Sequence, residues 1–230
     1  MRGKLVIWGA SGHARVVADI VRLQGDYEIV GFLDDVNPQR RNIGFCGAKI
    51  LGGQEQLERL RRAKVKTLII AIGDCQARLN LSEFAREKKF HLATAIHPSA
   101  TVASDVEVGV GTVVAAGAVA SAASKIGDNA IINTCASVDH ECRIGEGVHI
   151  APGARLASRV TVGRGSWVGI GSIVKERVRI GKNSIVGAGA VVLEDVPDNV
   201  VAYGSPAKVV RKVPHRQFPK SLNDAHKWGV

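Results

Sequence analysis

The second half of the chain carries an aliphatic residue at every sixth position. Sixteen consecutive positions of this register, from Val102 to Val192, are Val, Ile, Leu or Ala, and a small or β-branched residue lies two positions before each one. Because successive side chains of a strand point to opposite faces, two inward residues around one outward residue predict a short strand. The glycines that often follow the aliphatic residue predict a turn after each strand.

Repeats of this length build stacked coils. Three hexads close one triangular coil, so sixteen hexads cover 96 positions and form slightly more than five coils. No insertion interrupts the count between positions 102 and 192. The sequence therefore predicts a parallel β-helix over residues 98–193, followed by a capping segment with a basic tail over residues 194–230.

The first half alternates strand and helix patterns. An apolar strand at residues 4–8 leads through a Gly-containing turn into a helix that begins near His13, and two further apolar strands end at Asp34 and at Gly73. Alternating strands and helices favour a small parallel sheet. We therefore predict an α/β, Rossmann-like domain over residues 1–97.

The turn of residues 9–12 has two interpretations. A tight turn at a helix N-terminus offers N–H groups to an anion, and the acids Asp34 and Asp35 at the end of the second strand suit the hydroxyls of a nucleotide. The alternative is an ordinary turn in which Ser11 caps the helix, and His13 fits either role. The glycine spacing does not match the dinucleotide fingerprint.

The stretch "DHE" at positions 139–141 departs from the repeat. Its place midway between inward residues predicts that His140 points outward from a turn, flanked by two carboxylates. An imidazole supported by a carboxylate suits a general base at neutral pH. A solvated corner with chance charges is the alternative. His149 is also predicted to face outward, with Trp167 stacked one coil above it, whereas Cys142 is predicted inward and Cys135 exposed.

The composition of the chain limits the kinds of binding partner and the cellular compartment that we expect. The net charge of +10, partly from a basic C-terminal segment, favours an anionic partner. Phosphorylated small molecules fit it, and nucleic acid is poorly supported because no aromatic platform or recognition helix accompanies the charge. The four cysteines form no C-x-x-C pair, and no apolar run is long enough to span a membrane or form a signal peptide. These observations predict a cytoplasmic protein with reduced thiols.

Together, "GASGHARVV", "FLDD", "AIGD", "AIHPSA", "INTCASVDHECRIGEGVHIAPGA" and "GSPAK" resemble the bacterial sugar O-/N-acyltransferases. These include sialic acid O-acetyltransferases and N-acetyltransferases of nucleotide-linked 4-amino-4,6-dideoxysugars. The resemblance extends to about residue 213. It implies a left-handed β-helix, acetyl-CoA as cosubstrate, no metal, and a homotrimer with active sites between subunits, working in surface glycan synthesis.

The resemblance also implies residue roles. The nucleotide-sugar site is expected at Ser11, Gly12, His13, Asp34, Asp35 and Gly73. The catalytic group is expected at His140 as general base, Glu141 as the supporting acid, Asp139 and Asn133. Contacts to acetyl-CoA are expected at His149, Ser158, Ile170 and Lys208. Two positions depart from the family pattern: Asp139 stands where some members carry Glu, and Ser158 stands where a Gly amide can face the thioester, which leaves the oxyanion donor open.

The expected reaction is N-acetylation of a UDP- or GDP-linked amino sugar, and the runner-up is O-acetylation of a sugar such as sialic acid. Two other classes compete. A zinc hydratase on the same fold needs three His ligands, and only His140 and His149 lie within the coils. A non-catalytic trimeric scaffold would need neither the "DHE" turn nor a nucleotide-binding domain.

Overall fold

The computed structural model describes residues 2–214. The chain forms two compact units, which meet in sequence between Ala93 and Thr94. None of the helices within residues 2–214 is both long and apolar enough to cross a membrane. Of the predicted basic tail, Arg216, Lys220 and Lys227 lie outside the described residues.

The first unit is an α/β sheet of six strands. Its strands and helices are β1 (Gly3–Trp8), α1 (Gly12–Gln24), β2 (Tyr27–Leu33), β3 (Gly44–Phe45), β4 (Ala48–Gly52), α2 (Leu57–Arg62), β5 (Thr67–Ile70), α3 (Cys75–Glu87) and β6 (His91–Leu92), with 3₁₀ turns at Pro38–Arg40 and Gln54–Gln56. The order is β3-β4-β2-β1-β5-β6, and all pairs are parallel except β3 with β4. This matches the alternating pattern of the sequence.

The central strand β1 is enclosed on both faces. Its last four residues, Leu5 to Trp8, are almost fully buried, as expected for a parallel sheet covered by helices. The chain then turns at Gly9, where φ is +129° and an added Cβ would lie 2.5 Å from the carbonyl oxygen of Ala71. Only glycine fits this close approach, so the turn that leads to α1 depends on Gly9.

The second unit is a parallel β-helix whose two-residue strands form three faces. The first face contains β7 (Ala95–Ile96), β10 (Val113–Val114), β13 (Ile131–Ile132), β16 (His149–Ile150), β19 (Trp167–Val168) and β22 (Ile185–Val186). The second contains β8 (Thr101–Val102), β11 (Val119–Ala120), β14 (Ser137–Val138), β17 (Arg155–Leu156), β20 (Ile173–Val174) and β23 (Val191–Val192). The third contains β9 (Glu107–Val108), β12 (Lys125–Ile126), β15 (Arg143–Ile144), β18 (Thr161–Val162) and β21 (Arg179–Ile180).

Strand pairing fixes the register of the coils. Each strand pairs with the strand 18 residues later, as Ser137 does with Arg155 and His149 with Trp167, and no insertion breaks this spacing up to Val192. The second residue of each strand points inward, and these residues form one continuous apolar core with the small residues at the turns. The predicted uninterrupted hexads are confirmed.

The last coil is followed by two longer strands. β24 (Val200–Gly204) pairs in parallel with β22 on the first face, and β25 (Ala207–Lys212) pairs antiparallel with β24. Ala207 packs against the apolar core of the β-helix. The segment "GSPAK" forms the hairpin between these strands.

Candidate active site

The turn of residues 139–142 connects the second face to the third and carries His140 outward. Its imidazole is 47% exposed, and Nδ1 lies 3.0 Å from Oε2 of Glu141. Because an ionised carboxylate only accepts hydrogen bonds, Nδ1–H donates and Nε2 keeps its lone pair. A neutral imidazole with Nε2 directed to solvent is the form that a general base requires.

The turn that bears His140 shares the backbone conformation of the other turns of the β-helix, with a positive φ at its third residue. Glu141 has φ of +58°, and its N–H donates to the carbonyl oxygen of Ala122 one coil below, at 3.0 Å. The N–H of His140 donates to Oδ1 of Asp139 at 2.7 Å, and its carbonyl oxygen accepts from the N–H of Arg159 at 3.0 Å. Asp139 therefore shapes the turn through the backbone.

Arg159 lies directly above Glu141 and completes the charged cluster. Its Nε and Nη2 lie 3.0 and 2.9 Å from Oε2, the same oxygen that accepts from His140. These bonds from Arg159, followed by the bond from His140, lower the pKa of Glu141. The carboxylate thus stays charged to lower pH and faces the imidazole in a fixed direction.

A second polar cluster lies on the first face. His149 is outward but buried, and the Trp167 ring lies over it with 4.1 Å between centroids, which confirms the predicted stacking. Nδ2 of Asn133 lies 3.0 Å from Nε2 of His149. Oδ1 of Asn133 accepts from the N–H of Thr134 at 2.8 Å, so Nδ2 must be the group that donates to His149. Nε2 of His149 therefore carries no proton.

The remaining expected coenzyme contacts occupy separate positions. Ser158 lies one coil above His140, and Ile170 is 56% exposed in the turn between the first and second faces. Lys208 is exposed on β25, with Nζ 3.7 Å from Oε2 of Glu194. His140 and His149 lie half a coil apart, one in a turn and the other on the first face.

Cys142 points inward and Cys135 is exposed, as the repeat predicts. Cys142 is fully buried, and burial raises the pKa of its thiol to about 11, while Cys135 is exposed in a turn. A buried neutral thiol is a poor nucleophile. Within residues 2–214, no group of three His, Cys, Asp or Glu side chains is arranged to hold a metal ion.

In the first unit, the N-terminus of α1 is open to solvent. Ser11 and Gly12 are exposed there. Ser11 occupies the N-cap position of α1, as expected, but its side chain makes no capping bond. His13 is partly buried, and burial together with the nearby Arg78 lowers its pKa from 6.5 to about 4. His13 is therefore neutral at pH 7.

The two acids after β2 already have partners within the unit. Asp34 is buried, accepts from the N–H groups of Val36 and Asn37, and lies 2.9 Å from Nη1 of Arg40. These bonds organise the loop that follows β2.

Asp35 accepts from Trp8 Nε1 at 2.5 Å and from the Gln54 N–H at 2.7 Å. Burial raises its pKa, against the opposing effect of these two bonds. Gly73 lies in the loop after β5, where its carbonyl oxygen accepts from Nη1 of the fully buried Arg78 at 2.8 Å. Loops after β1, β2 and β5 follow adjacent strands of the sheet and thus gather at one edge.

Comparison with known proteins identifies the family. The family described as "PglD N-terminal domain" matches residues 4–84, and the family "Bacterial transferase hexapeptide (six repeats)" matches residues 123–158 and 159–194. PerB of Caulobacter crescentus, solved in complex with CoA and GDP-perosamine, is 42% identical with a TM-score of 0.86, covering 90% of this chain and 97% of PerB. The chain belongs to the nucleotide amino-sugar N-acetyltransferases.

Two further relatives agree with this assignment. The acetyltransferase domain of PglB from Neisseria gonorrhoeae, in complex with acetyl coenzyme A, is 37% identical with a TM-score of 0.85, covering 91% of this chain and all of that one. The UDP-N-acetylbacillosamine N-acetyltransferase of Bacillus subtilis is 36% identical over 115 residues, which span 49% of this chain and 51% of that protein. The predicted family, enzyme class and fold class, including the left-handed coil, are confirmed.

Sequence reasoning missed several residues of this acetyltransferase that contact the expected site residues. Arg159 binds Glu141, Arg40 binds Asp34, and Arg78 supports the loop at Gly73. The 18-residue period could have found Arg159, because it stands one coil after Glu141. Arg40 and Arg78 follow no repeat, so only the folded loops reveal their contacts.

Proposed function

We propose that this protein transfers the acetyl group of acetyl-CoA to the 4-amino group of a nucleotide-linked 4-amino-4,6-dideoxysugar for surface glycan synthesis. The observation that carries the proposal is the outward His140 imidazole, whose Nδ1 is bonded to Glu141 at 3.0 Å. The relatives of this protein support the substrate class, since PerB was solved with GDP-perosamine and CoA. GDP-perosamine is therefore the first acceptor to test.

The chemistry requires one base and no covalent enzyme intermediate. The amine nitrogen attacks the thioester carbon, and Nε2 of His140 takes the amine proton as the C–N bond forms. The C–S bond then breaks, and the imidazolium returns the proton to the departing thiolate of CoA. Glu141 stabilises the imidazolium through the bond to Nδ1, as the carboxylate does in other His–acid pairs.

We assign the acetyl-CoA site to His149, Ser158, Ile170 and Lys208. We add Asn133, which the resemblance implied in the catalytic group, because its amide contacts His149. The unprotonated Nε2 of His149 is already held by Asn133, so this pair presents a fixed, neutral surface beneath Trp167. The exposed Ile170 suits the apolar part of the pantetheine arm, and the exposed Lys208 suits a phosphate.

We assign the nucleotide end of the acceptor to the open N-terminus of α1 and the loops around it. The exposed Ser11 and Gly12 leave the first N–H groups of α1 available to a pyrophosphate. Since His13 is neutral at pH 7, it serves as a hydrogen-bonding group and not as a counter-charge. Asp34, Asp35 and Gly73 belong to the loops that gather at the same sheet edge.

A homotrimer is proposed from the character of the three faces. Of the six outward residues of the second face, one is charged. Ile173 on this face is 50% exposed. The third face carries four charges among its five outward residues. On the first face, Val113 and Ile131 are already buried within the single chain. The second face is therefore the surface best suited to pack around a three-fold axis.

This packing would complete the active site. If the second face of each subunit meets the axis, the turn that follows this face lies beside the neighbour's turn that precedes it. His140 and Ser158 lie in the first kind of turn, and Asn133 and Ile170 lie in the second. A trimer would thus place the base of one subunit beside the proposed coenzyme contacts of the next.

The test is a CoA-release assay with purified protein, acetyl-CoA and a panel of nucleotide 4-amino sugars linked to GDP, UDP and dTDP. We expect turnover with at least one amine acceptor and loss of turnover, by about 100-fold or more, in His140→Ala. The substitution Glu141→Gln should reduce turnover less than His140→Ala does. Wild-type rates in His140→Ala would contradict the proposed base.

Adding sugars that offer only hydroxyl groups, such as sialic acid, to this panel separates the alternatives. Turnover with a hydroxyl acceptor such as sialic acid, and none with amines, would replace N-acetylation by O-acetylation. Binding of nucleotide sugars without any turnover would favour a non-catalytic trimer. We place the reaction in the cytoplasm because acetyl-CoA and nucleotide sugars are cytoplasmic metabolites; fractionation of expressing cells would test this.

A further inference from the structure

A fully buried hydroxyl lies beneath the turn that carries His140. Ser124 is inaccessible to solvent, and its Oγ donates to the carbonyl oxygen of Asp139 at 2.8 Å and accepts from the N–H of Cys142 at 3.1 Å. Asp139 and Cys142 are the first and last residues of the turn. One hydroxyl therefore joins both ends of the segment that presents the proposed base.

Two turns between the first and second faces close without a bridging hydroxyl. In the turns of residues 133–136 and 151–154, the N–H of the last residue donates directly to the carbonyl oxygen of the first, at 3.0 and 3.1 Å. In the turn of residues 139–142, the same two groups are connected through Ser124 Oγ. The inserted oxygen sets the separation of the turn's ends, and this separation sets the direction of the side chains between them.

The same device occurs elsewhere in the β-helix, and two copies share the spacing of the Ser124 bridge. Thr112 Oγ1 donates to the carbonyl oxygen of Gly127 and accepts from the N–H of Ala130. Ser166 Oγ donates to the carbonyl oxygen of Gly181 and accepts from the N–H of Ser184. In each case the carbonyl group belongs to the residue 15 positions after the hydroxyl-bearing residue, and the N–H group belongs to the residue 18 positions after it, as for Ser124. The bridge is thus a general feature of the coil, and one copy supports the catalytic turn.

We propose that Ser124 is a positioning residue for catalysis, which acts by fixing the turn that presents His140. This inference rests on the proposed function, because it takes His140 as the base. The other contacts of the turn, to Ala122 below and Arg159 above, hold its middle, whereas Ser124 holds its ends.

Removing the hydroxyl has a predictable geometric effect. A buried N–H and a buried carbonyl oxygen lose their partner, so the turn contracts until they bond directly, as in residues 133–136. This contraction would move the imidazole by on the order of 1 Å, and a displacement of that size can cost about 100-fold in rate. We expect Ser124→Ala to lose between about 10-fold and 100-fold in kcat.

The experiment compares Ser124→Ala with Ser166→Ala as the matched control. Both changes remove one bridging hydroxyl with the same spacing, but the turn above Ser166 carries none of the proposed site residues. We expect a large loss of kcat with little change in KM for Ser124→Ala, and near wild-type kcat for Ser166→Ala. The amide chemical shift of Cys142 should change only in Ser124→Ala, because its N–H exchanges the Ser124 hydroxyl for the Asp139 carbonyl as acceptor; this reports the bridge independently of activity.

Conservative variants keep the inference testable if Ser124→Ala does not fold. Ser124→Thr retains the hydroxyl, as Thr112 does, and Ser124→Cys offers the weaker donor that Cys142 uses towards Ala157 at 3.2 Å. We expect a higher kcat for Ser124→Thr than for Ser124→Cys. Equal rates for Thr and Cys, wild-type kcat in Ser124→Ala, or an equal loss in Ser166→Ala would each overturn the inference. An active His140→Ala would instead contradict the proposed function.

Discussion

The partly buried His13 should make the first unit sensitive to acid. Burial and the nearby Arg78 lower its pKa from 6.5 to about 4 in the folded chain, whereas the unfolded chain regains the ordinary value. The unfolded state therefore binds more protons than the folded state between these two values. The contribution of neutral His13 to stability is fully present above about pH 6.5 and is lost as the pH falls towards 4.

The size of the effect follows from the separation of the two pKa values. At about pH 5, unfolded His13 is almost fully protonated, because this pH lies about 1.5 units below its unfolded pKa, while folded His13 is still mostly neutral. One unit corresponds to about 1.4 kcal/mol, so acidification from about pH 7.5 to about pH 5 should remove about 2 kcal/mol from the free energy of unfolding.

Urea unfolding measured by circular dichroism at 222 nm would test this, because α1, α2 and α3 all belong to the first unit. The control is His13→Asn, which removes the titrating group while the carboxylates of the protein titrate as before. We expect the wild type to lose about 2 kcal/mol more than His13→Asn between the two pH values. Parallel losses in the two proteins would refute a lowered pKa for His13.

Three further outcomes are expected. Arg159→Gln should raise the pKa of Glu141, since Arg159 lowers it in the wild type; a titration of the Glu141 carboxyl carbon by NMR would detect the rise, and an unchanged titration would argue against this coupling. Gly181→Ala should lower thermal stability by about 1–3 kcal/mol, measured by calorimetry, because its Cβ would lie 2.4 Å from backbone of the next coil; an unchanged Tm would contradict that fit. Ile173→Lys should dissociate the proposed trimer and abolish activity, whereas Thr161→Lys on the third face should not; light scattering would detect a trimer that survives Ile173→Lys.

The β-helix was predictable in detail because its core follows a simple rule. Inward positions recur every six residues, and apolar burial at each of them dominates the folding energy of a thin coil. The same period predicted that His140 points outward, that Cys142 points inward and that Trp167 stacks on His149. The α/β unit was predictable more coarsely, from its alternation of strands and helices.

The contacts around the site were harder to predict. Glu141 could be recognised as the neighbour of His140, but its bonds to Arg159 depend on the length and direction of a side chain one coil above. Asp34 and Asp35 look alike in sequence, yet one pairs with Arg40 and the other with Trp8. Such differences depend on loop paths, which follow no repeat.

The sequence by itself determined the coil, its register and whether each residue points inward or outward, because an inward position must be apolar or small whatever its neighbours are. Only the tertiary structure decided which outward and turn residues bond to one another. Those bonds join residues 15 to 18 positions apart in the β-helix, or different loops in the α/β unit, as Gln54 and Asp35 show, and they form only where stacking or loop closure brings the atoms to about 3 Å. The hydroxyl of Ser124 beneath His140 is one of them: the period predicts a small inward residue there, and the folded turn gives that hydroxyl its two partners.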